Sequence, residues 1–247
     1  MRTIVFWATV LVCTIWHGMT CIIAGLCGVP WTRSGVYDRA QRRWSRTSRR
    51  VTGIPVSIEG AEHLNADGPQ VLVSNHTGFF DILALLAALP VDAKFIVKQE
   101  LYRIPVLGAA MRAAGHVRMD RGNQKQAFGA YEEAAAQMKE KKLTIVVYPE
   151  GTRTRTGDML PFKKGPFVFA IGSGAPLIPC YVAGAFGIQP KGSIRVRKKP
   201  ITIVLGPPIP TAGLRPEDRD ALSDRTREAM LALKARVDTQ SAGRIAR

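Results

Sequence analysis

The chain has 247 residues, of which 46% are hydrophobic, and its formal net charge is +16 at neutral pH. This length predicts one domain with a short appendage, and the hydrophobic content excludes an intrinsically disordered protein. So positive a charge predicts an anionic partner: nucleic acid, an acidic membrane surface or a phosphorylated substrate. The four cysteines lie in apolar runs and lack metal-ligand spacing, so we predict neither a disulfide framework nor a metal site.

The chain begins with an apolar segment, because residues 3–32 contain no Asp, Glu, Lys or Arg. Such a run is long enough for one tilted transmembrane helix of about 20 residues. His17 and Gly18 fall near its middle, so two shorter helices, near residues 3–16 and 19–29, are an alternative in which neither helix spans the bilayer. A cleaved signal peptide is disfavoured, since no Ala-x-Ala-type site ends the run. Both helical arrangements predict attachment to a membrane.

The next segment, residues 33–50, contains seven arginines and one acid. Its cations recur at helical spacing: Arg39, Arg42, Arg43, Arg46, Arg49 and Arg50. This pattern predicts an amphipathic helix in the headgroup region of an anionic membrane, with a solvated basic face as the alternative. Because such clusters face the cytoplasm, we expect residues 1–50 to attach the chain to the cell membrane. Residues 51–247 would then form one domain on the cytoplasmic side.

From residue 51 onward, strand-like and helix-like patterns alternate, which predicts an α/β fold with a mixed central sheet surrounded by helices. Residues 51–60 predict an edge strand, and the apolar run at residues 71–73 predicts a buried central strand followed by a buried helix at 82–89. Further strands are predicted at residues 92–98, 115–120, 143–149 and 176–185, with a possible hairpin at a sheet edge formed by 193–197 and 201–205.

The turn between the strand at 71–73 and its helix carries His76, and Asp81 follows five residues later. Two residues at this spacing lie on different faces of a regular helix. They can touch only if His76 lies in the turn and Asp81 in the first turns of the helix. The carboxylate would then fix the imidazole tautomer and make the other nitrogen a better base. The alternative is a polar turn residue followed by an acid that favours a helix start.

A second polar turn, from Glu150 to Arg153, follows the strand-like run at residues 143–148. Strands that end in such turns can bring their carboxyl ends to one crevice. We therefore expect an imidazole base and an arginine that binds anions to face the same substrate.

In these motifs the sequence resembles the glycerolipid acyltransferases of the 1-acylglycerol-3-phosphate (lysophosphatidate) type. The family's first motif, Asn-His followed by four residues and Asp, is found at Asn75, His76 and Asp81. Its third motif, Pro-Glu-Gly-Thr-Arg, is found at residues 149–153. The remaining similarities are Lys-x-Glu-Leu at residues 98–101, a second motif at 115–121 that ends in Asp-Arg, and an apolar run with a central proline at 175–180. The motifs follow the family's order over about residues 71 to 206.

The resemblance implies the glycerolipid acyltransferase fold, with an N-terminal helix pair in one leaflet. It also implies transfer of a fatty acyl chain from acyl-CoA or acyl carrier protein to the sn-2 hydroxyl of 1-acyl-sn-glycerol-3-phosphate. The product would be phosphatidic acid, and no cofactor beyond the thioester co-substrate is expected. We assign His76 as the general base, Asp81 as its orienter, and backbone N–H groups at the following helix start as candidate oxyanion donors.

Attack of the acceptor on the thioester is expected to be direct, because the sequence lacks a Gly-x-Ser-x-Gly elbow. Arg153 is expected to bind the acceptor phosphate through paired donors. The other predicted substrate-binding residues are Asn75, Gly78, Lys98, Arg121, Glu150, Gly151 and Thr152.

Two residues depart from the family pattern. Many members have a serine where this chain has Gly78. Arg118 intrudes into the apolar residues before Asp120 and Arg121, and on a strand it would point opposite to its two neighbours. An arginine on the substrate side predicts either an altered acceptor or an additional headgroup contact.

Three other functions are weighed against this one. The acceptor can instead be glycerol-3-phosphate or a lyso-aminolipid such as a lyso-ornithine lipid. The same imidazole and carboxylate can serve a membrane-bound hydrolase. A basic nucleic-acid-binding protein is the third, but the apolar N-terminus and the lack of any nucleic-acid-binding motif argue against a nucleic-acid partner.

Overall fold

The computed structural model describes residues 1–120 and 122–245. Its helices are α1 (Arg2–Leu26), α2 (Val36–Arg50), α3 (Phe79–Ala88), α4 (Leu107–Ala113), α5 (Gln124–Lys141), α6 (Gly165–Ser173), α7 (Ala185–Ile188) and α8 (Arg219–Ile245). Its strands are β1 (Val56–Glu59), β2 (Gln70–Ser74), β3 (Ala93–Lys98), β4 (Val117–Met119), β5 (Thr144–Val147), β6 (Leu177–Ala183) and β7 (Ile201–Leu205). Short 3-10 helices cover Ala61–His63, Gln99–Arg103 and Pro216–Asp218.

The strands form one sheet in the order β1-β7-β6-β2-β5-β3-β4. Only the β6–β7 pair is antiparallel among the described strands, so the predicted mixed α/β sheet is confirmed. The predicted edge strand is also present as β1. The predicted strand at residues 193–197 is wrong, because this segment bonds to helix α1. The indole of Trp7 donates to the Ile194 carbonyl, and the Val196 N–H donates to the Thr3 hydroxyl.

Strand β2 is the centre of the packing. Val71 and Val73 point into the hydrophobic cluster formed with α5 and α6, whereas Leu72 points into the cluster formed with α3. This alternation follows from the two-residue period of a strand. Both faces of β2 are therefore buried, and the turn that follows it is held from two sides.

Helix α1 is continuous from Arg2 to Leu26, which decides against the alternative of two short helices. Phe6 is fully buried and stacks on Phe80 of α3 with ring centroids 4.9 Å apart, and Cys21 is buried near the opposite end. By length and composition α1 is able to cross a membrane. Its exposed face is apolar and includes Ile4, Leu11, Val12, Ile15, Trp16 and Ile23.

Several of the arginines of α2 bind main-chain carbonyls rather than projecting freely into solvent. Arg42 donates to the carbonyls of Leu89 and Val91, and Arg46 donates to that of Ala87. These carbonyls lie at and just beyond the C-terminus of α3, where carbonyl groups lack helical partners and a cation is favourable. The prediction of a continuous basic face on α2 is thus corrected. Some of its arginines bind the carbonyl groups at the C-terminal end of α3, while Arg43 and Arg50 remain exposed.

Candidate active site

His76 lies in the turn that joins β2 to α3, and Asp81 is the third residue of α3. The imidazole Nδ1 is 3.0 Å from Oδ2 of Asp81. Asp81 is fully buried, and 13% of the His76 side chain remains exposed. The contact expected from the five-residue spacing is therefore present in the geometry.

The carboxylate of Asp81 is the acceptor for the whole turn. Oδ2 accepts hydrogen bonds from the N–H groups of Thr77 at 2.6 Å and Gly78 at 2.8 Å, and Oδ1 accepts from the Thr77 hydroxyl at 3.0 Å. Since the carboxylate oxygens act as acceptors for the whole turn, we assign Asp81 as the acceptor in its contact with His76 as well. The imidazole proton then lies on Nδ1, which leaves Nε2 free to take a proton.

The ring of Tyr148 holds the other side of the imidazole. The two rings stack with centroids 4.0 Å apart and an interplanar angle of 16°. Burial, with the nearby charge of Asp81 as a smaller cause, raises the pKa of Tyr148, so its hydroxyl stays protonated. That hydroxyl is buried without a hydrogen-bond partner among the described residues. Tyr148 is not among the site residues predicted from the sequence, because its only signal is its place at the end of a strand-like run.

Glu150 supports the backbone of His76. Strands β2 and β5 are parallel neighbours, so the turn after β5 lies beside the His76 turn. Oε1 of Glu150 accepts from the His76 N–H at 2.8 Å, and Oε2 accepts from the Leu160 N–H at 2.9 Å. Burial raises the pKa of this carboxyl, and the two hydrogen bonds oppose that rise. Each oxygen thus accepts one backbone hydrogen bond, and the contact of Glu150 with substrate stays a prediction.

Arg153 is the cation next to this junction. The following residue, Thr154, donates its N–H to the carbonyl of His76 at 3.0 Å. Arg153 itself is half-buried and forms no ion pair or hydrogen bond within the described part of the chain. Its guanidinium is therefore available to an anionic ligand.

The rest of the second turn is set by backbone geometry and by one further cation. Gly151 has a φ of +68°, a conformation that residues with a Cβ rarely adopt. The hydroxyl of Thr152 accepts a hydrogen bond from Nζ of Lys191 at 3.0 Å. Lys191 was not selected from the sequence, because it lies in a loop far along the chain from either motif. Ligand binding by Gly151 and Thr152 stays a prediction.

Asn75 joins the end of one strand to its neighbour in the sheet. Its Nδ2 donates to the Val182 carbonyl at 3.0 Å, and its Oδ1 accepts from the Val182 N–H at 2.7 Å. The side chain bridges the end of β2 to β6, and the residue is only 2% exposed. Asn75 therefore has a structural role, and its contact with substrate stays a prediction.

Gly78 permits a close approach, but the approaching group belongs to the protein. A Cβ at this position would lie 2.9 Å from the carbonyl oxygen of Gln189 and 3.3 Å from that of Ala185. A serine does not fit here unless α7 and its C-terminal end move. The glycine at position 78 is thus matched by the close packing of α7 on the start of α3, and a contact of Gly78 with substrate stays a prediction.

Of the two remaining predicted cations, Lys98 lies toward the β4 edge of the sheet. Lys98 ends β3 and forms an ion pair with Glu100 at 2.7 Å, with both side chains about half exposed. Its contact with substrate stays a prediction. Arg121 lies outside the described residues.

Comparison with known proteins places this geometry in a family. The acyltransferase family model matches residues 55–183, which is more than half of the chain and includes both turns of the site. The chain belongs to the acyltransferase family. The sequence resemblance carried by the two motifs is thereby confirmed, and this acyltransferase is an enzyme of acyl transfer.

Named relatives agree with the family assignment. The 1-acyl-sn-glycerol-3-phosphate acyltransferase alpha of Ovis aries is 34% identical over 191 residues, covering 77% of this chain and 67% of that protein. The 1-acyl-sn-glycerol-3-phosphate acyltransferase of Limnanthes douglasii is 37% identical over 161 residues, covering 65% of this chain and 57% of that protein.

The fold has a solved counterpart in the 1-acyl-sn-glycerophosphate (LPA) acyltransferase PlsC from Thermotoga maritima. The TM-score is 0.74, and the match covers 95% of this acyltransferase and 97% of that chain at 23% sequence identity. At this identity the comparison establishes the fold, and the predicted glycerolipid acyltransferase architecture is confirmed.

Proposed function

We propose that this acyltransferase moves a fatty acyl group from a thioester, acyl-CoA or acyl carrier protein, to the sn-2 hydroxyl of 1-acyl-sn-glycerol-3-phosphate, giving phosphatidic acid. The observation that carries the proposal is the 3.0 Å contact of His76 with the buried Asp81, with Arg153 unpaired in the adjoining turn. An oriented base, together with a free guanidinium on the adjoining turn, suits an acceptor that has both a hydroxyl and a phosphate. The printed names of the relatives support the same acceptor.

In this mechanism the unprotonated Nε2 of His76 takes the proton of the acceptor hydroxyl as its oxygen attacks the thioester carbonyl carbon. The new C–O bond forms, the C–S bond breaks, and the leaving thiolate receives the proton back from the imidazolium. Asp81 stabilises the transient imidazolium. The N–H groups of Thr77 and Gly78 already bind Asp81, so they are withdrawn from the predicted set of oxyanion donors.

The direct test is an assay of the purified protein with acyl-CoA and lysophosphatidate, in which the product is identified by its mass. We expect phosphatidic acid. Glycerol-3-phosphate and a lyso-aminolipid serve as competing acceptors in the same assay. Preferred acylation of either would contradict the proposed acceptor, and release of fatty acid without acceptor at the rate of transfer would indicate a hydrolase.

Replacing Arg153 by alanine is expected to raise KM for lysophosphatidate by about 10- to 100-fold, the loss that corresponds to a charged hydrogen bond. KM for acyl-CoA should change much less, because the guanidinium is proposed to bind the acceptor. Arg155→Ala is the matched control, since Arg155 is an exposed cation in the same loop. Equal increases in both KM values would contradict the assignment.

We further propose that α1 lies in one leaflet, with the α/β domain on the cytoplasmic face. The helix contacts the rest of the protein near both ends, through Phe6 and Cys21, so a spanning orientation would draw the domain into the bilayer. In sealed vesicles, Cys27 and a cysteine introduced as Arg2→Cys should both react with a membrane-impermeant thiol reagent added outside. Protection of one of them until detergent is added would indicate a spanning helix.

A further inference from the structure

A polar cavity of about 540 Å³ lies along the outer edge of β4, between α4 and α5. Strand β4 ends the sheet, so no described strand pairs with this edge. Val117 and Met119 are buried in the core, whereas Arg118 between them is exposed and lines the cavity. The arginine that departs from the family motif therefore belongs to a defined concave surface.

The cavity contains two guanidinium groups without carboxylate partners. Neither Arg112 nor Arg118 forms an ion pair with any residue of the described ranges 1–120 and 122–245. Arg112 lies 5.9 Å from the ring centroid of Tyr102, which also lines the cavity. Two unpaired guanidinium groups in one concavity are suited to bind phosphate oxygens.

His116 adds a neutral donor to the same wall. Its Nδ1 accepts a hydrogen bond from the Phe95 N–H at 3.1 Å, so the ring hydrogen lies on Nε2. Burial, with the charge of Lys94 as a smaller cause, lowers the pKa of His116 to about 3, and the ring is neutral near pH 7. The lining also includes two carboxylates, Asp120 and Glu133, which accept hydrogen bonds from hydroxyl and amino groups.

The volume and the charged groups of the cavity indicate which class of ligand it can bind. The volume lies within the roughly 300–1,000 Å³ typical of small-molecule sites and leaves room for more than one phosphate group. A fatty acyl chain is disfavoured, because it would desolvate charged side chains. Arginines for phosphate, together with carboxylates for ribose hydroxyls and a base amino group, match a phosphorylated nucleoside.

The position of the cavity relates it to the candidate active site. Asp120, which lines it, follows the carboxyl end of β4, and His76 follows the carboxyl end of β2. The strand order β2-β5-β3-β4 separates these ends by three strand spacings, about 14 Å. The pantetheine arm of coenzyme A has the backbone length of about four residues, which extends to roughly 14 Å.

We propose that this cavity binds the phosphorylated adenosine of a coenzyme A thioester while the pantetheine arm carries the thioester to His76. The inference rests on the proposed function and names coenzyme A as the donor within it. It also gives Arg118 a role in donor binding rather than in acceptor choice.

The kinetic test uses the full-length Arg118→Ala and Arg112→Ala proteins. KM for acyl-CoA should rise about tenfold or more, with kcat and KM for lysophosphatidate unchanged. The acyl thioester of N-acetylcysteamine, which lacks the nucleotide, should be used equally by wild type and variants. Arg225→Ala on α8 is the matched control for loss of one exposed charge. An unchanged KM for acyl-CoA, or equal losses with acyl carrier protein as donor, would overturn the proposal.

A binding measurement separates this site from the proposed function. Titration calorimetry with adenosine 3′,5′-bisphosphate should show saturable binding to the wild-type protein, weakened about tenfold or more in each variant. No binding, or binding unchanged in both variants, would overturn the nucleotide site. If lysophosphatidate is not acylated but the nucleotide still binds, the acceptor assignment fails and the donor site stands.

Discussion

His76→Ala is expected to lower the rate of acyl transfer by about 10²- to 10⁴-fold, the contribution of a positioned general base. An alcohol is a poor nucleophile near neutral pH, and no other described side chain with an imidazole lies in this turn. The measurement is kcat for phosphatidic acid formation with both substrates saturating. Asp81→Asn should also be strongly impaired, since an amide can donate to Nδ1 and reverse the tautomer that leaves Nε2 free.

The structure predicts that these two variants differ in thermal stability. His76→Ala removes the ring's stacking on Tyr148 and its contact with Asp81 but leaves the hydrogen bonds of the turn, so its thermal unfolding temperature should fall only slightly and its binding to liposomes should be kept. Asp81→Asn removes a charge that accepts from the Thr77 and Gly78 N–H groups and should unfold at a lower temperature. His63→Ala is the control for loss of an imidazole outside the site. Near-normal turnover of His76→Ala would show that another group is the base.

The sequence was sufficient for the contact between His76 and Asp81, because both residues lie on one short strand-to-helix junction whose geometry is local. It was not sufficient for Glu150. Its partners are main-chain N–H groups at residues 76 and 160, and main-chain groups carry no signature in the sequence. An acid beside an arginine in a motif favoured a side-chain contact, whereas the adjacent parallel strands placed it under the backbone of His76.

The sequence was also not sufficient to predict what the basic face of α2 contacts. Helical spacing predicted which residues share a face, but the surface that meets this face depends on tertiary packing. The C-terminal carbonyls of α3 lie there, and Arg42 and Arg46 bind them. The fold class was predictable because alternating strand and helix patterns extend over most of the chain. The strand error at residues 193–197 arose because an apolar alternation in a loop also suits packing on α1.

Lys94 forms a buried ion pair that the sequence did not predict. Its Nζ lies 2.6 Å from Oδ1 of Asp38, with side-chain exposures of 1% and 0%. Desolvation lowers the pKa of Lys94 and raises that of Asp38, while their mutual attraction opposes both changes. The pair connects β3 to α2, and Oδ2 of Asp38 is buried without a hydrogen-bond partner among the described residues. Asp38 therefore depends on Lys94 for compensation of its charge.

Lys94→Met is expected to lower the free energy of unfolding by about 3–5 kcal/mol, because it leaves the Asp38 carboxylate buried and unpaired. The loss relative to wild type should be smaller at pH 5 than at pH 8. Burial raises the pKa of the unpaired Asp38 in the folded protein. At low pH the folded state therefore binds a proton at Asp38 and is stabilised. This stabilisation is lost as pH rises through the raised pKa. Denaturant unfolding at the two pH values measures both effects.

The double variant Lys94→Met/Asp38→Leu removes both charges and should recover most of the loss in the free energy of unfolding. A double variant as unstable as the single one would show that packing, not the unpaired charge, causes the loss.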